Sequence, residues 1–223
     1  MATAGVGGSA QLAVDFTGEL VTAGRRALLE VLRALCPRVD AVESSILRPQ
    51  GDSDLVFFVS TNPTLMAANV PRVPIGESFA GIVFRTGQMV AVADAERRPG
   101  HFVGIDTVVG RPTREYAALP IADGAALFGV LTLVNRATVA EHGTRPFSVD
   151  ELRMAQQAAS ELVGPMAILD GLGRGSAPAH RDGLLGAFGD DFVSDLLALN
   201  ETGRRVVQAV AAVLIRDQHS ERP

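Results

Sequence analysis

Lysine is absent from this 223-residue sequence, and cysteine occurs once, at Cys36. One cysteine cannot close an intramolecular disulfide, nor supply the thiolates of an iron–sulfur cluster or a structural zinc site. No apolar run approaches the ~20 residues that span a bilayer, so no membrane helix is expected. Residues 1–14 lack a basic segment followed by an apolar core, which argues against a secretory leader and for a cytoplasmic chain. The net charge of −5 and pI near 5.4 give no electrostatic case for nucleic acid, and neither end supplies a basic helix-turn-helix. All twenty basic residues are Arg, which, with abundant Ala, Gly and Val, points to a GC-rich bacterial coding sequence.

What is present is apolar. Hydrophobic residues make up 47% and mean hydropathy is +0.22, so some apolar surface is expected to be covered by a second subunit, as in a homodimer. The length suits one domain with appended helices. The reading along the chain is a flexible segment over 1–16, a domain over 17–171, a Gly/Ser/Pro-containing linker over 172–183 and a helical segment over 184–217.

Within the domain, Thr17 is placed as the cap of a helix over 17–35, which Pro37 should prevent from continuing. Strands follow at 39–47 and 55–60 around the turn Pro49-Gln50-Gly51-Asp52, and at 70–75, where Pro71 and Pro74 demand an edge. Ser78 caps a short helix over Phe79–Thr86, Gly87 ends it, and strands at 89–93, 115–121 and 126–135 complete the set. Residues 94–114 show no periodicity and read as a functional or mobile loop. Ser148 with Glu151 forms a capping box for a helix whose Leu152, Ala155, Ala159, Leu162, Met166 and Leu169 recur at helix-seam spacing, with a kink or end expected at Pro165. Phe192, Leu196, Leu199, Gly203, Val206, Val210 and Val213 continue that spacing in the tail, the best candidate for a dimer seam.

Two stretches carry a family resemblance: Pro74-Ile75-Gly76-Glu77-Ser78-Phe79-Ala80-Gly81, and Arg85-Thr86-Gly87-Gln88-Met89-Val90-Ala91-Val92-Ala93-Asp94. Each glycine in them is expected to occupy a place where a side chain would be awkward. Together they resemble the GAF domain, a small-molecule-sensing module, over residues 17–172. A further mark of that family is Asn135-Arg136 followed by Phe147, Asp150 and Glu151, where the cation and an acid tie the last strand to the final helix. Arg136 stands where Lys is usual, and the sequence leaves open whether Asp150 or Glu151 is its partner. The resemblance implies an α+β fold, a GAF-like six-stranded antiparallel sheet flanked by helices with a C-terminal helical extension.

It also implies a cavity between the sheet, the short helix and the 94–114 loop, with Phe79, Asp94, Phe102, Asp106, Arg114 and Thr132 as wall candidates. The competing reading is a cavity filled by its own side chains. Arg97, Arg98, Arg111 and Arg114 would make either an anion clamp or, more commonly, a solvated face. His101 and His142 have no second ligand at metal spacing and read as surface histidines; no metal is expected. Some GAF proteins reduce free methionine sulfoxide, and others attach bilins, through cysteines near the ligand loop, where this sequence has none. Cys36 therefore reads as a packed helix-end residue and the chain as non-catalytic. The resemblance implies a regulatory module that senses a small molecule, such as a cyclic nucleotide or small organic acid, and signals through terminal helices to a separate effector. The alternative is a dimeric adaptor with a vestigial pocket.

Overall fold

The computed structural model describes residues 6–138 and 144–174, together with Arg205 and Gln208, with side chains for residues 18, 21–138, 144–170 and the latter two. The stripe expected over 192–213, the linker over 175–183 and His142 lie outside the described residues. The elements are α1 (Val6–Arg38), β1 (Ala41–Gln50), β2 (Asp54–Ser60), β3 (Val73–Pro74), α2 (Phe79–Thr86), β4 (Val90–Val92), α3 (Val103–Val109), β5 (Tyr116–Asp123), β6 (Ala126–Arg136), α4 (Val149–Glu161) and α5 (Val163–Arg174).

The six strands form one antiparallel sheet in the order β3-β2-β1-β6-β5-β4. This is the expected α+β architecture, and its local punctuation follows the sequence closely. Gly51 turns β1 into β2 at φ +69°, and Gly124 turns β5 into β6 at φ +54°. Ser78 caps α2 by accepting a hydrogen bond from the Gly81 N–H at 2.9 Å, and Gly87 closes it in the left-handed conformation. The edge position of β3 is observed, although it is only two residues long, because Pro71 before it and Pro74 within it lack the N–H that a longer ladder needs.

Three expectations need correction. The first helix begins at Val6 instead of being capped by Thr17, so residues 6–16 are helical, and Pro37 lies inside its last turn. Residues 94–114 are not structureless: a 3-10 turn spans Ala95–Arg97 and α3 follows, ended by Gly110 at φ +76°. Gly76 has an ordinary φ and open space around its missing side chain, whereas Gly81 and Gly129 are where backbone packs against backbone. Pro165 acts as foreseen, because its missing N–H and ring oppose the bond to the Glu161 carbonyl, and α4 ends at Glu161.

The chain divides into two compact units. One comprises Leu29–Val163 and holds the sheet, α2, α3 and α4. Its sheet is covered on both faces, so Val130, Leu131, Thr132 and Leu133 are all buried in succession along β6. On one face the end of α1 reaches β1, where the Ser44 hydroxyl donates to the Leu32 carbonyl at 3.3 Å and the Cys36 thiol to Ser44 Oγ at 3.2 Å. Cys36 is therefore the packed helix-end residue the sequence implied. On the other face α2 and α3 enclose the cavity. The second unit, Met1–Leu28 with Gly164–Pro223, contains the rest of α1 and most of α5; there Gly24 lies directly against Leu169. Leu28, Met166 and Leu169 are fully buried, so much of the helical stripe is covered within this chain.

Candidate functional site

The period of two along β1 decides what reaches the cavity. Ser44 and Ile46 face α1 and the far core, while Glu43, Ser45 and Leu47 face α2 and α3. Glu43 pairs with Val134, which pairs with Tyr116, so a carboxylate and a phenol stand on either side of one valine on the same sheet face. Phe57 joins them from β2 and Thr132 from β6, Phe79 comes from α2, and Phe102 from the segment leading into α3. The Phe79 and Tyr116 rings lie 5.4 Å apart.

The free space among these side chains is about 70 Å³. Cavities that hold small-molecule ligands run to ~300–1,000 Å³. The described conformation therefore leaves little free room for a ligand among these side chains.

Inside it, Glu43 is 8% exposed. Arg111 Nη2 and Asn62 Nδ2 both donate to its Oε1, the latter at 2.6 Å. Burial pushes the Glu43 carboxyl above the usual carboxylate range, opposed by the Arg111 charge and the Asn62 hydrogen bond. Burial likewise raises the Tyr116 phenol, whose hydroxyl has no hydrogen-bond partner among the described residues.

Asp106 has a different part. It accepts from the Thr113 N–H at 3.0 Å and the Thr113 hydroxyl at 2.7 Å, and its Oδ2 lies 2.9 Å from His101 Nε2. The carboxylate thus ties α3 to the segments before and after it. His101 is no surface residue: its side chain is 11% exposed and it lines the cavity beside Asp106.

Of the six wall residues expected from sequence, Phe79, Phe102, Asp106 and Thr132 come together at the cavity, while Asp94 and Arg114 do not line it. Asp94 adopts φ +52° and accepts from the Thr144 hydroxyl. Arg114 is exposed and engaged through its backbone, the N–H donating to Asn135 Oδ1 at 2.7 Å and the carbonyl accepting from the Ala95 N–H at 2.8 Å. Of the four arginines, Arg97, Arg98 and Arg111 border an open cleft outside α3, where Arg111 is held by its ion pair with Glu43, and Arg114 lines neither the cleft nor the cavity. Glu43, Asn62 and Tyr116 were missed. The signal for Glu43 was available, because Ala41, Glu43, Ser45 and Leu47 share a parity that includes the buried Leu47.

Behind the site, Arg136 resolves the question of its partner. Its Nη1 and Nη2 donate to both Glu151 oxygens at 2.7 and 2.6 Å, and Nη2 also donates to Asp40 Oδ2 at 2.7 Å. The Phe147 ring centre lies 5.4 Å from its guanidinium carbon. Asp150 instead pairs with Arg153 in the open. Glu151 also closes the capping box by accepting from the Ser148 N–H at 2.6 Å. The Arg136 bonds, assisted by those of Ser148, hold the Glu151 carboxyl down to about 2 against an ordinary 4.5. A depressed folded-state value means that Glu151 stabilises the fold fully above about pH 4.5 and loses that contribution as pH falls toward 2. Acid titration of the unfolding free energy is expected to show a loss of about 2–3 kcal/mol over that window, greatly reduced in Glu151→Gln.

Among the described residues no cluster of ligating side chains could hold a metal ion, and no helix is long and apolar enough to cross a membrane. No curated protein matches the sequence. The fold is similar to the GAF domain of a phosphoenolpyruvate-protein phosphotransferase from Coxiella burnetii, at TM-score 0.56 and 19% identity over 74% of this chain and 98% of that one. It is also similar to a GAF domain/HD domain protein from Geobacter sulfurreducens, at TM-score 0.54 and 13% identity over 70% and 97%. A type II free methionine-R-sulfoxide reductase from Thermoplasma acidophilum has TM-score 0.51 and 11% identity over 66% and 94%. The GAF fold therefore hosts enzymes, although its members are mostly regulatory. The family profile described as GAF domain matches residues 24–164, more than half of the sequence, and the chain belongs to the GAF domain family.

Proposed function

We propose that this chain is a non-catalytic regulatory GAF module whose cavity opens to hold a small molecule, and that the terminal helices relay the change to a separate effector as a homodimer. The observation that carries this reading is the desolvated Glu43 carboxylate beside the unpartnered Tyr116 hydroxyl. A cavity kept only for packing would lose little by having apolar side chains there, since replacing a buried ion pair such as Glu43–Arg111 with apolar groups is often neutral or stabilising. That argument favours a sensor over an adaptor with a vestigial pocket. Cys36, the sole thiol, does not line the cavity, which supports a non-catalytic role. The contribution of α1 to both units supports relay through the terminal helices.

Hydrogen exchange with and without candidate cyclic nucleotides, small organic acids and amines tests the proposal. Backbone amides of residues 94–114 are expected to be the fastest exchanging in the Leu29–Val163 unit and to slow on binding, because α3 buries none of its residues fully. Protection equal to that of the sheet, unchanged by every compound, would favour the adaptor.

A further inference from the structure

The ion pair inside the cavity is lopsided. The Glu43 side chain is 11% exposed and fixed on the sheet, whereas the Arg111 side chain is 39% exposed and comes from the loop after α3. If α3 moves outward, Arg111 leaves with it into water and the carboxylate stays behind. It would then face Asn62, which supplies a single N–H, and the rings of Phe57, Phe79 and Tyr116, which do not belong to α3. The other carboxylate at the cavity among the described residues, Asp106, is already hydrogen-bonded by Thr113 and His101. Opening would therefore leave the Glu43 carboxylate without its cation beside aromatic faces, and the ring quadrupole attracts cations.

Building on the ligand-sensing reading above, we infer that Arg111 is a built-in stand-in for the ligand, which is a small organic cation, an alkylammonium or alkylguanidinium, that replaces it on Glu43. The cationic head takes the hydrogen bonds that Arg111 now gives. Its short alkyl part lies against Phe57 and Phe79, and the free Tyr116 hydroxyl accepts from the head or from a water beside it. An anion in this place would meet Glu43 as a like charge, and a neutral molecule that displaced Arg111 would leave the Glu43 carboxylate without a counter-charge. The exchange of one cation for another makes opening thermodynamically accessible, because the carboxylate is paired at both ends of the process.

Chemical rescue of the full chain tests the inference. Arg111→Ala is expected to lower Tm, and methylguanidinium or n-propylammonium should restore it with a saturable rise of about 5–10 °C at ~100 times Kd. n-Propanol and propionate should not. Wild type should respond with at least ~10-fold weaker apparent affinity, because Arg111 competes. Arg111→Ala/Glu43→Gln should lose the rescue. Tyr116 is the sole Tyr in a chain without Trp, so its emission gives a second readout that does not depend on the alanine variant folding. Methylguanidinium should change it saturably in wild type and not in Glu43→Gln. An equal response to propionate or propanol overturns the cation class while leaving the sensor reading intact. No saturable response by either readout overturns the inference, and if hydrogen exchange of residues 94–114 is also unmoved by every compound, the sensor reading fails with it.

Discussion

Arg136→Ala is expected to lower the unfolding free energy by about 3–5 kcal/mol, the largest effect of any single substitution near the sheet. The Arg136 side chain is 3% exposed, and its removal leaves Glu151 and Asp40, at 15% and 21%, facing each other without a cation. It also removes the tie between the end of β6 and the first turn of α4, and the partner of the Phe147 ring. Arg136→Lys should cost less, about 1–2 kcal/mol, because one ammonium cannot span both Glu151 oxygens while also reaching Asp40. Arg136 Nε has no partner among the described residues, so the lysine loses nothing at that atom. Urea unfolding of the three proteins, with m compared across them, gives the values. A loss below about 1 kcal/mol for the alanine variant would mean that the network contributes geometry and little energy.

Gly81→Ala comes second, at about 2–4 kcal/mol, and its effect extends to the cavity. A Cβ at Gly81 would overlap the Ile75 carbonyl oxygen and lie 2.6 Å from the Ile75 carbonyl carbon. Both are backbone atoms, so no rotamer change relieves the overlap and α2 itself must shift. Because α2 carries Phe79 and Ala80 into the cavity wall, that shift should expose Tyr116 and raise its accessibility to a collisional quencher such as acrylamide. Gly76→Ala is the matched control: with open space and an ordinary φ, it should stay within ~0.5 kcal/mol of wild type. Similar costs at the two glycines would contradict the close-packing argument.

What the sequence made legible is what short-range chemistry controls. The limits of α2 are set by Ser78 and Gly87, and the start of α4 by Ser148 and Glu151, so both were readable from residues four or fewer apart. The hairpin turns at Gly51 and Gly124 were readable for the same reason. α3 was not, because Val103, Thr107, Val108 and Val109 are β-branched and Gly104 is flexible, a composition with weak helix propensity. It is helical because Asp106 gathers Thr113 and His101, contacts that no periodicity reveals. The start of α1 escaped notice because Gly7 and Gly8 look like a loop. The cavity divides along the same line. Phe79 and Thr132 sit on regular elements whose faces follow from their periods, whereas Asp94 and Arg114 flank the loop, where their directions depend on Thr144 and Asn135. Glu43 meets Arg111 across 68 residues, and only the assembled sheet and loop bring them together.

The central claim is that this closed cavity opens for a small molecule. The most direct measurement is a titration of Tyr116 emission in the intact protein against a panel of small cations, carboxylates and cyclic nucleotides, since no other Tyr or Trp contributes. The account predicts a saturable one-site change with at least one class of compound, accompanied by protection of residues 94–114. An emission that responds to none of them, or only linearly and identically in wild type and Glu43→Gln, would contradict it.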